Sequence, residues 1–307
     1  YPQQEAQLLI PSSSTSLKSI AKQDNILIAR GMGRSYGDSA NGTKVIQTSY
    51  CDHFIEFEEK SGTLTAEAGI TLREILKIVV PSGWFLPVTP GTSYVTLGGA
   101  IASDIHGKNH HIAGTFGQHV KFINIMLGTG EVIKASESEN PDLFCATCGG
   151  MGLTGVILSA TIQLIPILSS LITQKTIKAD CIEAACEAFE ENKSATYSVA
   201  WIDCLAKEKS LGRSVLMLGE HAEESGLEMD IKEPISVPFN TPSALLNNLT
   251  IKTFNSAYWH RAKDHQTQTI PLIPYFYPLD VIGNWNKLYG KAGFLQFQCV
   301  IPKFDGI

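Results

Sequence analysis

Three glycine-rich clusters carry most of the chemistry this chain can offer. The first reads "RGMGRSYGD" from Arg30 to Asp38, the second "PGTSYVTLGGAIASDIHG" from Pro90 to Gly107, the third "CGGMGLTG" from Cys148 to Gly155. Residues without a bulky side chain let backbone N–H groups approach a ligand closely. Successive N–H groups form anion-binding nests suited to phosphate. Ser35, Ser39, Thr92 and Thr96 add hydroxyl donors. The first cluster places its glycines at Gly31, Gly33 and Gly37. That spacing fits neither G-x-G-x-x-G nor the Gly-Lys-Ser/Thr ending of a phosphate loop. One cluster alone reads equally well as a tight turn. Three together predict an extended, phosphate-bearing ligand threaded between several loops.

Other reactive side chains lie among these clusters. His106, His110 and His111 have a spacing that a metal on a helix can use. The stretch carries glycine and lacks a nearby Cys or acidic partner, so no metal site is expected. His110 and His111 also read as histidines satisfied by backbone in a loop-rich core. His106 sits between the glycine loops, where an imidazole can hydrogen-bond a substrate oxygen or a cofactor, and is the first catalytic candidate. Tyr36 is the second, with a solvated loop tyrosine as the equal alternative. Lys108 reads as a surface or phosphate-holding cation, because a lysine base needs a pKa depressed by burial. Cys145-x-x-Cys148 has redox spacing but no thioredoxin-like βαβ unit around it, and reads as a pair of buried thiols.

The elements that must position these residues follow from period and punctuation. "NILIARG" is a short buried strand leading into the first cluster. "TKVIQT", "HFIEFEE" and "GTLTAEAG" read as strands separated by turn residues. "TLREILKIVVPSGW" is a helix capped by Thr71, with Glu74 three residues on and Pro81 as its stop. "VKFINIMLGTGEVIKAS" is a hairpin turning at Gly128–Gly130. "NPDLFCATCGG" is a short helix with Pro in its first turn, and "GVILSATIQLIP" is a long strand. Beyond Pro166 a strand, "LITQKTIKAD", and an amphipathic helix, "CIEAACEAFEENK", precede strands at 197–203, 214–219 and 293–301. From Glu220 to about Pro278 the chain reads as irregular and aromatic-rich, a substrate lid or packing arm. The layout is α+β, with domains over 1–167 and 168–307.

Composition narrows the class. With 44 % apolar and 18 % charged residues the chain is globular rather than disordered. A net charge of −6 gives no basic footprint for nucleic acid. No uninterrupted apolar run reaches the roughly 18 residues of a membrane-spanning helix. Seven scattered cysteines, an odd number, argue against a disulfide framework and for a reducing compartment. The expected location is cytoplasmic or peripheral at a membrane. The opening on Tyr1 rather than Met reads as a fragment of a longer gene product.

The segments "RGMGRSYGDSA", "PGTSYVTLGGAIASDIHGKNHHIAGTFGQHV" and "DLFCATCGGMGLTGVILSATIQL" resemble the FAD-binding domain of the vanillyl-alcohol-oxidase (PCMH-type) flavoprotein superfamily. Within it the chain is most similar to the decaprenylphosphoryl-ribose oxidase branch. "SVAWIDC", "LGRSVLMLGEH", "YFYPLDVIGNWNKLYG" and "GFLQFQCVIP" resemble the substrate domain of that branch. The resemblance implies an FAD domain of two α/β subdomains and a second domain, built on an antiparallel sheet, that covers the flavin ring. It implies a first pyrophosphate loop at Arg30, Gly31, Gly33, Arg34, Ser35, Tyr36 and Gly37. A second would comprise Pro90, Gly91, Thr92, Thr96, Gly98, Gly99 and Ala100. Ser103, Ile105, His106, Gly107 and Asn109 would run beside the isoalloxazine, and Gly152, Thr154, Gly155 and Val156 would close the far side. Lys108, Trp201, Tyr277, Lys287, Gln296 and Gln298 match substrate-pocket positions. Many relatives carry a flavin-linking His where this chain has Arg34, which implies FAD held without a covalent bond.

The chemistry implied is oxidation of a sugar secondary alcohol to a ketone by hydride transfer to flavin N5. The substrate implied is the 2′-hydroxyl of a polyprenylphosphoryl ribose, with a short-chain NAD(P)H-dependent reductase as partner in an epimerisation for cell-envelope arabinose. The superfamily's proton-accepting lysine lies near the C-terminal end. The chain stops at "CVIPKFDGI", so that part of the substrate domain is expected to be missing and no residue here is expected to be the general base. Two other readings stay open: an alditol- or aldonolactone-type FAD oxidase, and a flavin-binding fragment without catalysis.

Overall fold

The computed structural model describes residues 4–21, 27–35, 37–224, 226–229, 235–242 and 246–293. The chain forms two compact units: Tyr1–Ser170 with Ser225–Asp230, and Leu171–Glu224 with Ile231–Ile307.

In the first unit, β1 (Gln7–Leu9), β2 (Ile28–Arg30) and β3 (Lys44–Gln47) make a parallel sheet in the order β1-β3-β2, with α1 (Ser14–Ala21) between β1 and β2 in sequence. A second sheet is antiparallel. It is built from β4 (Phe54–Glu58), β5 (Thr63–Glu67), β7 (Val120–Met126), β8 (Val132–Ala135) and β9 (Val156–Gln163), in the order β4-β5-β9-β7-β8. The short β6 (Trp84–Phe85) and β10 (Ile165–Pro166) pair with each other. The central strand β9 is buried from Val156 through Ile162, which explains its near-continuous apolar sequence. Leu17, Ile46, Cys51, Met126, Val156 and Leu158 form one core cluster, with Leu9, Leu27 and Ala29 packed against it. Both sheets therefore share a core, and the loops leaving β2 and entering β9 start from it.

Helix α2 (Leu72–Val79) buries Leu72, Ile75, Leu76 and Val79, each contributing about 1.5–3 kcal/mol relative to exposure. Its capping box is complete: Thr71 Oγ1 accepts the Glu74 N–H at 3.2 Å, and a Glu74 carboxylate oxygen accepts the Thr71 N–H at 3.0 Å. Two short helices, α3 (Leu97–Ala102) and α4 (His110–Ala113), lie in the second glycine region, and α5 (Pro141–Thr147) precedes the third.

The second unit is built on an antiparallel sheet of β11 (Leu171–Ala179), β12 (Tyr197–Ile202), β13 (Ser214–His221) and β15 (Thr267–Pro271), ordered β12-β13-β11-β15. Helix α6 (Ile182–Glu191) covers Ile177, Ala179, Leu216 and Leu218 through Ala185. The segment expected to be irregular holds β14 (Ile235–Ser236), α7 (Asn248–Arg261), β15 and α8 (Leu272–Phe276). The 14-residue α7 escapes periodicity because its faces are mixed: Leu249 and Phe254 are exposed, whereas Asn255 and Trp259 are buried. Its start is nevertheless built, since Asn247 Oδ1 accepts the N–H groups of Leu249 and Thr250. The expected strand at 293–301 lies outside the described residues from 294 onward.

Candidate cofactor site

Strand β2 delivers Arg30 into the first glycine loop, and the loop is braced from within. Arg30 Nη1 donates to Ala40 O at 3.2 Å and to Asn41 Oδ1 at 2.9 Å. Gln47 Nε2 donates to Gly31 O at 2.7 Å, and Thr48 Oγ1 to Arg30 O at 3.2 Å. Gly33 and Gly37 have φ of 61° and 81°, a left-handed backbone that glycine adopts without strain. A Cβ at Gly37 would meet no atom within 4 Å, so the backbone there faces open space. Arg34 and Ser35 are exposed; Tyr36 lies outside the described residues.

The second glycine region is pinned to the start of α2. Arg73 N–H donates to Ser93 O and Leu72 N–H to Val95 O, both at 3.0 Å, and Thr71 bridges Thr96. Thr96 then caps α3, its Oγ1 accepting the Gly99 N–H at 3.1 Å. Gly98 admits no side chain without shift, because a Cβ would sit 2.9 Å from the Ala68 methyl. Pro90, Gly91 and Thr92 are half-buried and Ala100 is buried.

Helix α3 links the three clusters. At its start, a Cβ on Gly31 would run into the Thr96 side chain, so the first loop lies directly on the second. At its end, Gly149 N–H donates to Ile101 O at 3.0 Å and Met151 N–H to Ala102 O at 2.8 Å, so the third cluster hangs from the same helix. Gly152 (φ 80°) continues it, the Thr154 hydroxyl lies 3.0 Å from that of Thr147, and Gly155 packs on Met126 O ahead of Val156 and β9. Ser103 N–H closes α3 on Gly99 O at 3.0 Å, and Ile105 N–H reaches Ala100 O at 3.1 Å.

The histidine block leaves this helix. His106 is exposed and bridges Thr115. Gly107 is wedged against Thr89, where a Cβ would lie 2.7 Å from the carbonyl oxygen. Asn109 is buried and donates to Pro87 O at 2.8 Å. His110 and His111 are exposed on α4 rather than held in a core. Nδ1 of His110 lies 3.2 Å from Gly107 O. Lys108 also departs from the surface cation expected: it is half-buried, and burial pulls its pKa down to about 8. The buried thiol pair is likewise corrected. Cys145 is exposed on α5, and only Cys148 is partly enclosed, with burial pushing its thiol up to about 11.

An extended anionic dinucleotide fits this donor set. Exposed or half-buried glycine backbone of the three clusters meets at one short helix, and the exposed cation Arg34 lies over the ring of Tyr94, whose N–H donates to the Thr92 hydroxyl, a donor set of the kind that takes an anion. Among the described residues no carboxylate pairs with Arg34. Sequence patterns did not single out Gln47, Asn41 or Arg73, which hold the loops in place. Gln47 ends a strand and Arg73 sits in an amphipathic helix, so neither stands out by spacing.

In the second unit the matched positions are more dispersed. The Trp201 ring lies 4.6 Å from that of Tyr258. Tyr277 is fully buried beside Phe276. Lys287 Nζ donates to Pro238 O at 3.3 Å. Gln296 and Gln298 lie outside the described residues. Asp203 is buried and receives Arg213 Nη2 at 2.7 Å, Arg213 Nε at 2.9 Å and Asn255 Nδ2 at 2.6 Å. Burial pushes its pKa up, but these hydrogen bonds, the Leu205 N–H and the Arg213 charge outweigh it and hold the carboxyl below the usual range.

Comparison with known proteins bears on the first unit most directly. Residues 10–136 match the FAD binding domain family. The decaprenylphosphoryl-beta-D-ribose oxidase of Mycolicibacterium smegmatis is 35 % identical over 90 % of this chain and 63 % of its own length. An uncharacterized protein in the mprA 5′ region of Streptomyces coelicolor is 36 % identical over 59 % of this chain and 51 % of its own. The D-arabinono-1,4-lactone oxidase of Candida glabrata is 28 % identical over 42 % of this chain and 25 % of its own. The chain thus spans less than two thirds of the length of each of these relatives. Residues 10–136, which carry the first two glycine loops, are an FAD-binding domain.

Proposed function

We propose that this chain is the flavin-carrying part of an FAD-dependent oxidoreductase that oxidises a secondary alcohol of a sugar to a ketone. The observation that carries the reading is the convergence of three glycine clusters on α3, the first two of them within the region matching an FAD binding domain. Bound FAD supplies the hydride acceptor; the protein supplies binding and orientation. Gly31, Gly33, Arg34, Ser35 and Gly37 take one side of the dinucleotide, Thr92, Thr96, Gly98 and Gly99 another. Ser103, Ile105, His106, Gly107 and Asn109 line the reactive ring, and Gly152 to Val156 close the far side. His106, exposed next to these loops, hydrogen-bonds the substrate oxygen, with Tyr36 as the second catalytic candidate. The domains run over 1–167 and 168–307, the second holding substrate through Trp201, Tyr277, Lys287, Gln296 and Gln298.

The FAD is bound without a covalent link, because Arg34 offers no nucleophile where a linking His would stand. The substrate is a polyprenylphosphoryl ribose oxidised at its 2′-hydroxyl, and a short-chain reductase returns the ketone to an alcohol. The match to the M. smegmatis relative supports this choice, since it extends through both units. The C. glabrata match covers less than half of the chain and gives an aldonolactone substrate weaker support. Among the described residues no helix is long and apolar enough to cross a membrane, and the proposed location is cytoplasmic or peripheral at a membrane. Anaerobic titration of the FAD-loaded chain with polyprenylphosphoryl ribose tests the assignment. Bleaching of the flavin bands is expected. Bands that persist with this substrate but bleach with an aldonolactone would overturn it.

A further inference from the structure

Tyr94 lies in the second glycine region and is fixed from both sides in sequence. The carbonyls of Ser93 and Val95 accept N–H groups from α2, and the Tyr94 N–H donates to Thr92 Oγ1 at 3.2 Å. Its ring is approached by two guanidiniums. The carbon centre of Arg73 lies 4.9 Å from the ring centroid and that of Arg34 lies 5.8 Å away, both within cation–π range. Arg73 is buried and belongs to α2; Arg34 is exposed and belongs to the first loop. Two cations on one ring repel each other, and among the described residues no carboxylate neutralises Arg34. An anion placed beside Arg34 removes that imbalance.

We infer that Tyr94, backed by Arg73, is a positioning residue that holds Arg34 as the anion-binding guanidinium of the cofactor cradle. The inference rests on the FAD reading above. Tyr94 touches Arg34, not the cofactor, and its role is to keep a planar, permanently charged fork aimed at one place. The anion is either the pyrophosphate of FAD or the negative charge that the flavin ring gains on reduction. The two sources leave different signatures.

The test compares wild type, Arg34→Gln, Tyr94→Leu and Tyr94→Phe in the full chain. FAD dissociation constants are measured at low and high salt, and the midpoint potential of the bound flavin is measured in parallel. If the pyrophosphate is the partner, Arg34→Gln weakens FAD binding roughly tenfold or more, and Tyr94→Leu weakens it about two- to fivefold. Both variants flatten the salt dependence, and Tyr94→Phe restores wild-type behaviour because the ring remains. If the reduced ring is the partner, FAD affinity holds while the potential falls in Arg34→Gln and Tyr94→Leu and recovers in Tyr94→Phe. The inference is overturned if Arg34→Gln moves neither readout, if Tyr94→Leu moves neither, or if Tyr94→Phe fails to restore. A wild-type chain that takes up no FAD overturns the FAD reading itself, and this inference with it.

Discussion

Gly31→Ala tests whether the first two glycine loops touch where the cradle requires. The new methyl would collide with Thr96 Oγ1 and lie 2.9 Å from Thr96 Cγ2 and 3.2 Å from its Cβ. Thr96 cannot withdraw freely, because Oγ1 caps α3 and Thr96 itself is buried. Overpacking of this kind costs about 1–3 kcal/mol. If that cost falls on the arrangement that binds FAD, the dissociation constant rises roughly 5- to 150-fold, at about 1.4 kcal/mol per tenfold. Thr96→Ala alone loses the cap, about 1 kcal/mol. In the double variant the collision is relieved, so the two effects are not additive. The assay is FAD titration followed by flavin fluorescence, with Gly128→Ala as control, since a Cβ there meets nothing within 4 Å. Wild-type FAD affinity in Gly31→Ala, or strict additivity with Thr96→Ala, would refute the contact between the loops.

Three further outcomes are expected. Lys108→Met removes a cation whose folded pKa, about 8, lies below its unfolded value. Between those two pH values the unfolded chain binds more protons, so wild-type stability rises with pH through that window. The gain is roughly 1–3 kcal/mol, and Lys108→Met lacks it in urea melts at pH 7 and 9.5. Asp203→Asn breaks the pair with Arg213 and costs about 3 kcal/mol at neutral pH, read as a lower denaturation midpoint; an unchanged midpoint contradicts the network described for the second unit. Cys145 is exposed while Cys51 is buried and its thiol is pushed up to about 11. A thiol reagent at pH 7.5 therefore modifies Cys145 much faster than Cys51, and peptide mapping that finds equal rates would contradict these exposures.

The capping box at Thr71 and Glu74, the Gly128–Gly130 hairpin and the buried strand over 156–163 were legible because each is a local pattern. Helix α7 was not, because aromatic and polar residues alternate on it without a clean apolar stripe. Its local signals are the Asn247–Thr250 cap and a last turn carrying His260 and Arg261. At the site, glycine spacing located the three loops but not their meeting on α3, which depends on hydrogen bonds between segments far apart in sequence. The same holds for Lys108, whose burial no spacing announces, and for Tyr94, an ordinary loop tyrosine until Arg34 and Arg73 are seen over its ring. The exposed Cys145 reverses the expectation of a buried thiol pair, which rested on the lack of a thioredoxin-like unit around Cys145-x-x-Cys148.

These loops are proposed to hold FAD by shape and charge alone. The most direct measurement is the flavin content of the purified full chain before and after acid precipitation. A yellow protein with FAD equimolar to chain is expected, all of it released to the supernatant as intact FAD. A colourless chain that takes up no added FAD, or flavin that stays with the precipitated protein, would contradict it.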